Sequence, residues 1–127
     1  MGANRQQALT AIREAESHNG PSIIIAYAPC MLHGINMAKS QVEQKRAVDS
    51  GYWPLYRYNP DLADQGKNPF ILDSKPAKSD YKEFIMGENR YASLAKLFPD
   101  AAAELFERAE KEAKDKYEYY KKLNDME

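Results

Sequence analysis

The chain has 127 residues, of which 18 are basic and 19 acidic, for a formal charge of −1. Such a balance supplies no long-range field for nucleic acid or an anionic membrane surface, so neither partner is expected. One cysteine excludes an internal disulfide framework, and with no leader pattern and no long apolar span the expectation is a cytoplasmic protein of one domain, residues 1–127, with roughly two thirds of its unfolded surface buried.

Taken in order, Arg5 to His18 carries Ala8, Ile12 and Ala15 on one helical stripe with Leu9 beside it. Asn4 is positioned as its N-cap, and Gln7 stands where a capping box places Glu or Gln. Asn19-Gly20 is the stop. Ile23 to Tyr27 is an apolar run between Gly20-Pro21 and Pro29, the pattern of a parallel strand buried on both faces. No strand precedes Asn4, so the N-terminus reads as cut within a βαβ unit.

Lys39 to Ser50 predicts a second helix, stopped by Gly51. Tyr52 to Tyr58 is strand-like in its aromatic content, but Pro54 confines it to an edge or a strand start. Asn59 to Pro76 reads as a long ordered loop, with Phe70 to Leu72 as a short strand. Glu88 to Leu97 predicts a helix carrying Tyr91, Leu94 and Leu97 on one face, ended by Pro99. Asp100 is then expected to cap a long final helix. Its apolar positions Ala102, Leu105, Phe106, Ala109, Ala113, Tyr117 and Tyr120 keep three-and-four spacing, and Glu107 faces Lys111 as Glu112 faces Lys116. The fold class is α/β.

In open α/β sheets chemistry gathers beyond the carboxyl ends of the strands, which is where Cys30 falls. A lone cysteine is commonly a small buried hydrophobe. Against that, Cys30 sits in a loop between Pro29 and Gly34, and a thiolate there could feel the positive end of the following helix. His33 is near in sequence, yet no acid is placed to orient it as a base for a catalytic thiol. Cys30 and His33 also have the spacing of a metal pair, but a closed zinc site needs four ligands and only His18 remains as a further histidine. A loop histidine bonded to backbone is the plain alternative for His33. Tyr52, Trp53, Tyr56 and Tyr58 could stack a base, although aromatic-rich strands usually pack. No glycine-rich phosphate loop is present, and no catalytic carboxylate pair can be assigned.

Gly20-Pro21-Ser22 through Ala28-Pro29-Cys30, Lys39-Ser40-Gln41, Gly51-Tyr52-Trp53-Pro54-Leu55-Tyr56-Arg57-Tyr58-Asn59-Pro60, Lys67-Asn68-Pro69-Phe70 and Leu72-Asp73-Ser74-Lys75 together resemble the pyruvate:ferredoxin (flavodoxin) oxidoreductase family. The likeness is to the C-terminal part of that enzyme, in the latter half of its thiamine diphosphate-binding domain, and runs from Met1-Gly2 at least to Arg90-Tyr91. It implies a partial thiamine diphosphate-binding fold, with parallel strands flanked by helices, in a fragment of the enzyme. The family decarboxylates pyruvate oxidatively with coenzyme A, giving acetyl-CoA, carbon dioxide and reduced ferredoxin or flavodoxin. By the same resemblance Cys30 is one ligand of a 4Fe-4S cluster, its three companion cysteines lying upstream. The Gly-Asp-Gly motif and Asn that hold thiamine diphosphate and Mg2+ in the family are absent here, so no such residue carries over. The loop from Gly34 to Lys39 is shorter than in many members.

The implied partners are the remainder of the oxidoreductase, ferredoxin or flavodoxin, and pyruvate and CoA in the intact enzyme. The fragment alone is expected to be inactive and self-associating. A rival reading is a free-standing, non-catalytic α/β interaction module derived from that domain.

Overall fold

The computed structural model describes residues 2–126. Among the described residues five α-helices and one two-stranded sheet follow one another as α1 (Arg5–Ser17), α2 (Ser40–Asp49), β1 (Tyr56–Tyr58), β2 (Phe70–Leu72), α3 (Tyr81–Met86), α4 (Asn89–Leu97) and α5 (Pro99–Asn124). The architecture is mixed, mostly helical, with a long C-terminal helix.

Local chemistry explains most boundaries. Asn4 Oδ1 accepts from the Gln7 amide at 3.0 Å and starts α1. The reciprocal half of the expected capping box does not form, because the Gln7 side chain donates to Asp73 Oδ2 at 3.0 Å instead. α3, which the sequence reading missed, begins with Asp80 accepting from the Glu83 amide at 2.6 Å. Asp100 is not the cap of α5: Phe98 occupies that position without a side-chain bond, Pro99 opens the helix, and Asp100 lies in the first turn near the positive end of the dipole.

The sheet departs from the expected parallel arrangement. Among the described residues its strands run antiparallel, with Tyr56 opposite Leu72, Arg57 opposite Ile71 and Tyr58 opposite Phe70. Ile23 to Tyr27, expected as a buried parallel strand, pairs with no strand, and Ile23, Ile24 and Ile25 are 87%, 54% and 73% exposed. The physical reason is that a central parallel strand needs a neighbour on each side, and no described segment supplies one. The strand proposed from Tyr52 begins only at Tyr56, past Pro54, and the expected loop from Asn59 holds a 3-10 helix, Pro60–Gln65.

The outer margin of β2 is closed by two asparagines. Asn68 Oδ1 accepts from the Phe70 amide at 2.9 Å and Asn124 Oδ1 from the Leu72 amide at 2.8 Å. Asn68 Nδ2 in turn donates to the carbonyls of Leu123 and Met126 at 2.7 and 2.8 Å, tying the end of α5 to the sheet.

The core is small. Ala47, Phe84, Ile85, Ala102 and Phe106 are buried, with Tyr27, Tyr52, Trp53, Tyr81, Tyr91 and Leu94 packed around them. Leu97, expected on the inner face of α4, is exposed, and so is Leu105 of α5. The pairing expected along α5 at Glu107–Lys111 and Glu112–Lys116 is replaced by other pairs. Lys114 pairs with Glu110 at 2.7 Å and Glu107 lies 3.9 Å from Lys82 of α3.

α1 buries no residue and is held by polar contacts, Gln7 to Asp73 and Glu14 to Arg57. Its apolar side, with Ala8 and Ile12, lines an open groove of about 960 Å³ shared with Ile23 to Tyr27 and Pro54 to Tyr58. The accessible surface is 9046 Å², against about 6,900 Å² for a compact monomer of this mass. The excess, about 2,000 Å², has the size of a protein–protein interface.

Candidate functional site

The turn from Tyr27 to Gly34 carries the single cysteine. Pro29 is buried, and Cys30 follows in extended conformation as a free, half-buried thiol. Its carbonyl accepts from the His33 amide at 3.0 Å, closing a 3-10 turn over Met31–His33. Met31 and Leu32 project into solvent, 70% and 82% exposed. Gly34 ends the turn at φ +75°, a conformation that side chains disfavour, and a Cβ there would fall 2.6 Å from Asn89 Oδ1.

Behind the turn lies a polar network centred on one buried carboxylate. Glu88, fully buried at the N-cap position of α4, accepts from Tyr27 Oη on Oε1 at 2.9 Å and from Arg90 Nε on Oε2 at 2.6 Å. Arg90 Nη2 donates to Tyr52 Oη at 2.5 Å, and Tyr52 Oη lies 3.2 Å from Tyr91 Oη. The Arg90 guanidinium sits 4.8 Å from the centre of the Tyr91 ring. Burial, and then the bond to Glu88, push the Tyr27 hydroxyl well above its ordinary range. Burial and the bond to Tyr91 do the same for Tyr52. Glu43 of α2 is buried too; its Oε2 accepts from Arg46 at 3.2 Å and its Oε1 has no hydrogen-bond partner.

The sequence-derived candidates separate in space. Cys30 and His33 share the turn, whereas His18 faces Asp61, 3.1 Å away beyond the end of α1. Among the described residues no three His, Cys, Asp or Glu side chains gather as a metal site. Most of the aromatic series packs: Tyr52 and Trp53 adjoin the core and Tyr56 lies against Phe70 and Tyr120 at 5.4 and 4.8 Å between ring centres, whereas Tyr58 is exposed. Glu88 and Arg90 were missed as site residues. The available signal was an acid at the start of a helix with an arginine two residues on, which is commonplace. No described helix is long and apolar enough to cross a membrane.

The chain is 59% identical over 123 residues to the pyruvate:ferredoxin oxidoreductase of Moorella thermoacetica, covering 97% of this chain and 10% of that protein. It is 54% identical over 125 residues to the pyruvate-flavodoxin oxidoreductase of Enterobacter agglomerans, covering 97% of this chain and 11% of that protein. A mitochondrial pyruvate dehydrogenase (NADP(+)) of Euglena gracilis is 48% identical over 101 residues, 78% of this chain and 6% of that protein. No family-wide sequence profile matches.

The chain therefore matches a segment of oxidoreductase enzymes. In particular, it is a fragment-length match to the pyruvate:ferredoxin/flavodoxin oxidoreductases, spanning about a tenth of their length.

Proposed function

We propose that this chain works as part of a pyruvate:ferredoxin (flavodoxin) oxidoreductase, in the latter half of its thiamine diphosphate-binding domain, and that Cys30 gives one thiolate to a 4Fe-4S cluster there. The whole enzyme would convert pyruvate and CoA to acetyl-CoA and carbon dioxide and reduce ferredoxin or flavodoxin. The observation that carries this reading is the state of Cys30: a free thiol, half-buried, on a turn whose flanking Met31 and Leu32 are uncovered. A thiol meant only for packing would sit inside the core.

The donor chemistry fits one corner of a cluster. Four thiolates are required and this chain has one, so three come from the rest of the polypeptide. When bound, such a cluster accepts electrons one at a time. Met31 and Leu32 would then exclude water from the sulfur once the rest of the enzyme lies over them, which shields the thiolate and lowers the local dielectric. Ile23 to Tyr27 would take its place as a strand in a parallel sheet completed by neighbouring segments. Thiamine diphosphate and Mg2+ do not fit this chain by themselves, since it has neither a glycine-rich phosphate loop nor a described cluster of acidic ligands. No role toward them is assigned to its residues.

Cys30→Ser in the intact oxidoreductase tests the assignment. The expected result is loss of one cluster's paramagnetic signal and of pyruvate-dependent viologen reduction. Full retention of both overturns it. The 127-residue chain alone should reduce no dye with pyruvate, and turnover by it would overturn the reading of the chain as an inactive part.

A further inference from the structure

Two consecutive residues hold the two ends of the cysteine turn. Tyr27, three residues before Cys30, is bonded to the buried carboxylate of Glu88, and Gly34, four residues after it, rests against the side chain of Asn89 so closely that no Cβ fits between them. Both contacts come from the start of α4, its N-cap Glu88 and first residue Asn89, and the helix packs on the core through Tyr91, Leu94 and Ala95. Besides these, the turn has the buried Pro29 and its own Cys30–His33 backbone bond: Met31 and Leu32 are exposed, and no core residue comes from Ile23 to Ala28 other than the packed Tyr27 ring.

We propose that Glu88, with Tyr27, is a positioning pair that fixes the site of the Cys30 sulfur, acting as one jaw of a clamp whose other jaw is Asn89 against Gly34. The inference rests on the reading of Cys30 as a cluster ligand and goes beyond it in naming what holds that ligand. A rigid ligand needs its supporting shell locked by packing and hydrogen bonds. Here the lock is anchored by charge: Arg90, itself part-exposed and tied to Tyr52, neutralises the buried Glu88, so the carboxylate cannot turn away from Tyr27 without breaking its ion pair.

The experiment uses the intact oxidoreductase with Tyr27→Phe, Glu88→Gln, Gly34→Ala and Cys30→Ser, and with Tyr58→Phe as an exposed control. Three quantities are read: iron content, the line shape of the reduced cluster's paramagnetic spectrum, and, after cluster removal, the alkylation rate of the Cys30 peptide by mass spectrometry. Tyr27→Phe is the mild variant, since it deletes one hydroxyl and leaves the ring in place. Expected are near-normal iron content, an altered line shape and about tenfold faster alkylation of Cys30 for Tyr27→Phe and Glu88→Gln, the size of effect that loss of one hydrogen bond to a buried charge allows. Gly34→Ala should give the same signature from the other jaw, and Tyr58→Phe should give none. Unchanged line shape and alkylation in Tyr27→Phe and Glu88→Gln, with the cluster lost in Cys30→Ser, would overturn the clamp alone. Retention of the cluster in Cys30→Ser would overturn the ligand reading, while faster alkylation in the other variants would still support the clamp.

Discussion

Arg57 grips Asp73 with two prongs: Nε donates to Oδ2 at 2.8 Å and Nη2 to Oδ1 at 2.9 Å, while Nη1 reaches Glu14 of α1. The guanidinium and the Asp73 side chain are only 16% and 14% exposed, so this fork joins β1, the residue after β2 and α1 in a largely dry place.

Removing it should therefore cost stability. Arg57→Ala is expected to lower the unfolding free energy by about 2–4 kcal/mol, because two carboxylates lose their shared cation. Arg57→Lys should recover only part, since an ammonium cannot reproduce the fork. Urea titration would read both as lower midpoints; a midpoint unchanged in Arg57→Ala would contradict the assignment.

Alkali should loosen the fold through Tyr27 and Tyr52. Both hydroxyls titrate above their ordinary value of 10.0 in the folded chain, chiefly because burial disfavours the phenolate. A raised folded value means that the neutral form is favoured by folding. The stabilisation is complete below pH of about 10 and drains away as pH rises from there toward the folded values. Tyr27→Phe should flatten that alkaline decline, as followed by unfolding midpoints on either side of pH 10. An equally steep decline in the variant would exclude Tyr27 as a contributor.

Phe84 is 1% exposed and its ring centre lies 5.0 Å from that of Tyr52, so it sits where α3 meets the aromatic cluster. Phe84→Ala should cost about 3–5 kcal/mol. In a core this small that loss should abolish a cooperative thermal transition. A melt within a few degrees of the parent would show that the site collapses without penalty.

The uncovered isoleucines predict association of the isolated chain. Ile24→Lys places a charge in the middle of the Ile23 to Ile25 run, and it should shift sedimentation toward monomer. If the parent chain is already monomeric at high concentration, this surface is not adhesive.

The sequence announced the helices well, and for a local reason. α1, α2 and α4 fall within one residue of their expected limits, and α5 starts two residues ahead of the expected first position, because helical periodicity and capping are written within single turns. α3 escaped because six residues after Asp80 look like more of the preceding loop, though Asp80 and Glu83 formed a legible start signal. Ile23 to Tyr27 misled in a different way: its composition records a need for burial, while burial depends on neighbours that no described part of the chain provides. Of the site, Cys30 stood out as the single cysteine and through family resemblance. Its support by Glu88 was illegible, because a contact spanning 61 positions leaves no mark on either local stretch.

The asparagine pair on β2 has a directional outcome. With the amides of Phe70 and Leu72 both taken by side chains, that flank offers no ladder to a newcomer, and the helix end fastened beside it bars approach. Any polypeptide that enlarges this sheet must be received along β1, on the side of the groove where the bare isoleucines wait. The sheet thus has a sealed border and an open one, and a further strand can join only across the second.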